Sequence, residues 1–165
     1  DYYRIIEMKT AALFAAATEL GAFINEAAPE VISAMKTFGL KLGTAYQIYD
    51  DCLDLAGSEL NAGKTLGSDL RKGKLTLPIL HLLQHASADE RHFLSEQILG
   101  GEDVDITALT QAAREKGSLR SAMRVSKKLL GEASQQLESL PANKYRSGLR
   151  GVCESVAELL APFGN

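Results

Sequence analysis

Side chains of one character recur along this chain every three or four residues, and the rhythm starts at the second position. Tyr2, Ile5, Ile6, Lys9 and Leu13 fall on one helical face. An Ala-rich stretch (Ala11, Ala12, Ala15, Ala16, Ala17) carries the run on, so a helix is predicted over Tyr2–Asn25. Small residues in that stretch let a neighbouring helix come close. Pro29 suits the first turn of a second helix, expected to reach Leu55 before Gly57 stops it. After a Gly-rich basic stretch, helices are predicted at Leu75–His85, Asp89–Leu99, Ile106–Lys116, Leu119–Leu140 and Ala142–Leu160. Asp105 and Ser118 suit N-caps, Gly117 a C′ position, and Pro141 a place just inside a helix start. Strand-type alternation, an Asn-Gly hairpin turn and internal repeats are all missing from the sequence. The pattern therefore predicts an all-α, antiparallel helical bundle.

A chain of 165 residues is the size of one domain. Its net charge of −3 gives no reason to expect nucleic acid or an anionic membrane as partner. No apolar run approaches the roughly 20 residues that span a bilayer. The opening Asp1-Tyr2-Tyr3-Arg4 lacks the basic start and apolar core of a signal peptide. Cys52 and Cys153 are too few and too isolated for a disulfide framework, and both sit at apolar positions of helical patterns. They are expected to be reduced, buried thiols of a cytoplasmic protein. Helical rhythm begins without an initiator Met or a cap, so the chain is expected to be cut from a longer polypeptide.

The second helix carries an acidic strip. Gln47, Asp50, Asp51 and Asp54 are spaced i, i+3, i+4 and i+7, which puts them on one face, with Gly43 removing bulk earlier on that side. The rest of the circumference is apolar, including Leu42, Ala45, Ile48 and Leu53. Three carboxylates so close together are either a solvated face or a cation site. Solvated faces usually mix bases with acids, and no cation lies between Lys41 and Lys64. Mg²⁺ is commonly held by one or two carboxylates together with substrate phosphates. The following stretch brings Lys64, Arg71, Lys72 and Lys74 among glycines 57, 63, 67 and 73. Carboxylate, metal and lysine together are a way to hold a diphosphate as a leaving group. On the first helix, Lys9 and Thr10 lie in an apolar neighbourhood where a Lys either snorkels to solvent or binds phosphate.

Two competing patterns fail on inspection. Gly63-Lys64-Thr65 suggests a phosphate-binding P-loop, but that pattern needs glycine at 58, where Ser58 stands, and a preceding strand. His81, His85 and His92 are spaced for one helix face, yet Ser87-Ala88-Asp89 reads as a break, and nothing completes a tetrahedral zinc set.

Taken together, five ordered blocks resemble the trans-isoprenyl (polyprenyl) diphosphate synthase family. They are Tyr2-x2-Ile5-x3-Lys9-Thr10-Ala11-x-Leu13-Phe14, Gly21-Ala22, Tyr46-Gln47-Ile48-x-Asp50-Asp51-x-Leu53-Asp54, Gly63-Lys64-x2-Gly67-x-Asp69-Leu70 and Gly73-Lys74-x-Thr76-Leu77-Pro78. The resemblance implies a truncated form of the family's helical bundle, with two Asp-rich motifs facing each other across a deep cavity. Asp50, Asp51 and Asp54 match the second motif, with Asp50 the leading Mg²⁺ ligand and the other two binding directly or through water. Lys9, Thr10, Gln47, Lys64 and Lys74 match positions that hold the allylic diphosphate, and Lys9, Lys64, Asp50 and Asp51 are the expected catalytic set.

The implied reaction condenses isopentenyl diphosphate with an allylic diphosphate in a homodimer that uses Mg²⁺. The family's first Asp-rich motif has no match here, since Glu102, Asp103 and Asp105 lack its flanks. The chain is therefore expected to be the C-terminal part, residues 1–165, of a single synthase domain, inactive alone. The form of the Lys9-Thr10 block leans towards long-chain bacterial synthases. A non-catalytic subunit of a prenyltransferase complex and a terpene cyclase of the same fold remain the alternatives.

Overall fold

The computed structural model describes residues 1–57, 66–100 and 104–163. Every regular element among them is helical, and none of the helices is long and apolar enough to cross a membrane. The chain divides into two compact units, one of Asp1–Gln47 with Val125–Ala161, the other of Ile48–Arg124 with Pro162–Asn165.

In the first unit, the helix predicted over Tyr2–Asn25 is interrupted. Helix α1 (Tyr2–Ile6) runs into one π-helical turn, Glu7–Ala11, before α2 (Ala12–Ile24) resumes. A π turn closes i→i+5 hydrogen bonds and so accommodates an extra residue. The buried positions show why it is needed, because Ile6, Ala11 and Ala15 face inward and the first step is five residues long. On the outer side Leu13, Phe23 and Ile24 are exposed.

Helix α3 (Pro29–Ala56) starts at the proline as expected. Its partners on α2 and the π turn descend as its own numbers rise, which makes the pair antiparallel. Thr10 meets Gln47, Ala11 faces Gly43, and Thr18 donates to the Met35 carbonyl at 2.6 Å. Glycines permit this closeness. A Cβ on Gly43 would stand 2.7 Å from Ala11 Cα, and one on Gly39 would stand 2.4 Å from the Phe14 carbonyl oxygen.

Helix α8 (Ser118–Gln136) lies antiparallel to α3 as well. The buried Ser126 hydroxyl donates to the Ala45 carbonyl at 3.0 Å, and Lys41 pairs with Glu132 at 2.7 Å. A 3₁₀ turn, Leu137–Ser139, tightens the end of α8. Helix α9 (Lys144–Leu159) begins later than Pro141 suggested. Asn143 is the N-cap, its side-chain oxygen accepting from the Tyr145 and Arg146 amides at 3.0 Å each.

The second unit holds the last turns of α3, then α4 (Ser68–Arg71), α5 (Leu77–His85), α6 (Ala88–Leu99) and α7 (Ile106–Glu115). Helix α5 packs on α6 and α7, burying Ile79, Leu82, Ile98 and Leu109. Ser87 and Glu90 form a capping box on α6, and Asp105 caps α7 by accepting from the Ala108 amide at 2.9 Å. Gly117, with φ 69°, ends α7 as expected. Ser118, expected as an N-cap, is instead the first residue of α8, and its buried hydroxyl meets His81 Nδ1 at 3.1 Å. The orphan carbonyls at the end of α3 are met by α7, Thr110 donating to Leu55 O at 2.7 Å and Arg114 to Ala56 O at 3.1 Å.

Candidate functional site

All four residues of the acidic strip lie on α3. Gln47, Asp51 and Asp54 are buried and Asp50 is half-buried. A solvated face is therefore excluded for all but Asp50. Beneath the strip, Cys52 is fully buried, and burial followed by the Asp51 charge pushes its thiol up to about 12. A buried carboxylate needs donors around it. For Asp54 they come from the start of α4, where Ser68 Oγ donates to Oδ1 at 3.2 Å and the Asp69 amide to Oδ2 at 3.0 Å. The Gly67 amide also donates to the Asp54 carbonyl, at 2.8 Å. Gly67 has φ 74°, and a Cβ there would stand 2.0 Å from Ile106 Cδ1. Only glycine suits the position.

Helix α4 ends in a Schellman arrangement at Gly73, whose φ is 67°. The Gly73 amide donates to Leu70 O and the Lys74 amide to Asp69 O, both at 2.8 Å. This turn sends the Lys74 side chain back along α4, where Nζ reaches Asp69 Oδ1 at 2.5 Å. The Asp69 hydrogen bond raises the Lys74 pKa. Partial burial opposes the rise, and the charges of Asp69, Asp51 and Asp54 add to it. The Lys74 ammonium is thus in the electrostatic range of two carboxylates of the strip. Arg71 instead folds onto its own turn, donating to Leu66 O at 2.8 Å.

The first unit holds a cluster of its own. Thr10 Oγ1 donates to Gln47 Oε1 at 2.7 Å, which fixes the amide face of Gln47. Lys9, its neighbour on the π turn, is exposed. The apolar surroundings read from the sequence therefore belong to the chain neighbours of Lys9 and not to its side chain. Lys64 lies outside the described residues.

Among the described residues, no three of His, Cys, Asp and Glu converge closely enough to hold a metal ion unaided. The donor set still fits Mg²⁺, which takes one or two carboxylates and fills its shell with water and phosphate oxygens. A zinc site at the histidines gains no support. His81 and His85 stack ring on ring at 4.0 Å, while His92 pairs with Glu96. Sequence reasoning placed Asp69 inside a block but gave it no role, and gave Ser68 none. The readable signal was an acid sitting between two glycine-flanked basic positions.

Comparison with known proteins identifies the family. Residues 1–115 match the family model described as Polyprenyl synthetase. The octaprenyl diphosphate synthase of Haemophilus influenzae is 35% identical over 150 residues, 90% of this chain and 46% of that protein. A short chain isoprenyl diphosphate synthase of Methanothermobacter thermautotrophicus is 33% identical over 96% of this chain and 49% of its own length. Among solved structures, a polyprenyl synthase of Caulobacter crescentus, complexed with calcium and isoprenyl diphosphate, superposes with a TM-score of 0.88. That structure is 33% identical, and the match covers 94% of this chain and 48% of that one. The chain thus spans about half the length of the curated relatives it matches. The family match, the relatives and the all-α isoprenoid synthase fold agree, and this chain belongs to the polyprenyl synthetase family.

Proposed function

We propose that this chain carries the second Asp-rich, Mg²⁺-dependent diphosphate site of a polyprenyl diphosphate synthase. The observation supporting it most directly is Lys74, held by Asp69 in the electrostatic range of Asp51 and Asp54 on α3. The complex of the Caulobacter relative with a divalent ion and isoprenyl diphosphate points the same way.

In this reading Asp50, the most accessible of the strip, is the principal metal ligand, and Asp51 and Asp54 are the strip's more deeply buried carboxylates. A bound Mg²⁺ offsets charge on the diphosphate as it leaves. Lys9, Thr10, Gln47, Lys64 and Lys74 are assigned to the allylic diphosphate, with Thr10 hydrogen-bonded to Gln47. In the reaction the allylic C–O bond breaks and its electron pair leaves on the diphosphate. The double bond of isopentenyl diphosphate attacks the cation to form the new C–C bond, and a proton is lost from the adduct. The first Asp-rich motif has no match in this sequence, so the reading assigns substrate binding to the chain and turnover to a protein that also carries that motif.

Calorimetric titration with farnesyl diphosphate tests this. Binding should require Mg²⁺, and Asp50→Ala should weaken it at least tenfold, since even ligand-supporting groups alter metal affinity by about 10–100-fold. Absence of wild-type binding at every Mg²⁺ concentration, or an Asp50→Ala variant that binds like wild type, would sink the proposal.

A further inference from the structure

Helix α4 is four residues long, too short to hold itself together, since forming a first helical turn fixes several dihedral angles for one hydrogen bond. Its N-cap position is Gly67, which has no side chain to satisfy the amides of the first turn. The acceptor comes from fifteen residues upstream. Asp54 Oδ2 takes the Asp69 amide, Oδ1 takes the Ser68 hydroxyl, and the Asp54 carbonyl takes the Gly67 amide. Asp69, positioned by its own backbone, then turns its carboxylate to Lys74. Asp54 is 3% exposed. A metal ion binding there would have to enter a buried position whose two oxygens already accept donors.

We infer that Asp54 is a positioning residue that caps α4 and, through Asp69, sets where the Lys74 ammonium meets a diphosphate, and that it is not a metal ligand. The inference rests on the Mg²⁺–diphosphate reading of the strip and divides its three carboxylates into two kinds. An amide at position 54 separates the two roles. Asn keeps an oxygen for the Asp69 amide and offers an NH₂ to the Ser68 oxygen, so it preserves the cap while removing the charge that a metal ligand needs.

The test uses the full chain with Asp54→Asn and Asp54→Ala, and Asp50→Asn as the metal-ligand reference. Without ligand, amide hydrogen exchange at Asp69 should stay near wild type in Asp54→Asn. In Asp54→Ala it should run about tenfold or more faster, the size expected for loss of a hydrogen bond to a charged group. With farnesyl diphosphate present, the Mg²⁺ midpoint of Asp54→Asn should stay within about threefold of wild type, while that of Asp50→Asn moves about tenfold or more.

The inference is overturned if Asp54→Asn shifts the Mg²⁺ midpoint as far as Asp50→Asn does, or if Asp54→Ala leaves the Asp69 amide protected. Should Asp54→Ala not fold, the two Asn variants decide the matter between them. If wild type binds no diphosphate, the functional reading falls, and the Asp69 amide alone decides whether Asp54 is the cap.

Discussion

Replacing Gly39 by Ala adds one methyl group at a close approach between α2 and α3. Its Cβ would stand 2.3 Å from Thr18 Oγ1, 2.4 Å from Phe14 O and 2.6 Å from Phe14 C. Two of the three are backbone atoms, so a rotamer change cannot relieve the overlap and one helix must move. Overpacking of this kind costs about 1–3 kcal/mol, and losing the Thr18–Met35 hydrogen bond adds about 1 kcal/mol. Against that, Ala is favoured over Gly in a helix by up to about 1 kcal/mol. The balance is a loss of about 1–3 kcal/mol. Gly131 on α8 supplies the control, because it is exposed and a Cβ there meets nothing within 4 Å. Gly131→Ala should therefore gain up to about 1 kcal/mol. Urea unfolding measures both, with the midpoint shifting in opposite directions and the slope unchanged. The packing argument is wrong if Gly39→Ala is as stable as wild type, or if both variants move the same way.

Two further outcomes follow from ionisation. Glu90 is held down to about 2 by the Lys116 ammonium and by the Ser87 amide and hydroxyl of the α6 capping box. Its folded pKa is below the unfolded one, so its contribution to stability is full above the ordinary Glu range and is lost as pH falls towards about 2. A carboxyl-carbon NMR titration should show this low midpoint, and Lys116→Gln should move it upward; a midpoint already at the ordinary Glu value in wild type would contradict the pairing with Lys116. Cys52, fully buried and pushed up to about 12, and Cys153, raised mainly by burial, should resist iodoacetamide at pH 8 until urea unfolds the chain. Rapid alkylation of the native protein would show that one of these thiols is reachable.

The helices of this fold were legible wherever a local cap agreed with periodicity. Asp105 and Pro29 stand at the helix starts their chemistry predicts, while the Ser87 capping box starts α6 one residue before the predicted Asp89. Prediction failed where two local signals competed, as at the start of α9, where Pro141 and Asn143 both favour a helix entry and the amide-accepting Asn143 prevails. It failed again where a distant residue supplied what local sequence lacks. Helix α4 has no periodicity to read over four residues, and its cap arrives from Asp54. The acidic strip itself was readable, because i, i+3 and i+4 spacing defines a face without tertiary information. That Thr10 would contact Gln47 was not readable, since the contact depends on how closely Gly43 lets Ala11 approach.

The π turn at Glu7–Ala11 bears on how the first helices count their residues. In an uninterrupted α-helix a five-residue step turns through about 500°, leaving Ile6 and Ala11 about 140° apart. Both are nevertheless buried. Tyr2–Ile6 and Ala12–Ile24 are thus two helices with different rotational origins, joined by a turn that resets the phase. A wheel drawn through both would assign inward and outward faces correctly on one side of the turn and wrongly on the other. An alignment of this segment with a straight helix has to open a one-residue gap to keep both halves in register. That gap falls somewhere within Glu7–Ala11, the turn that carries Lys9 and Thr10, so their faces follow from the π turn and not from a continuous helical phase.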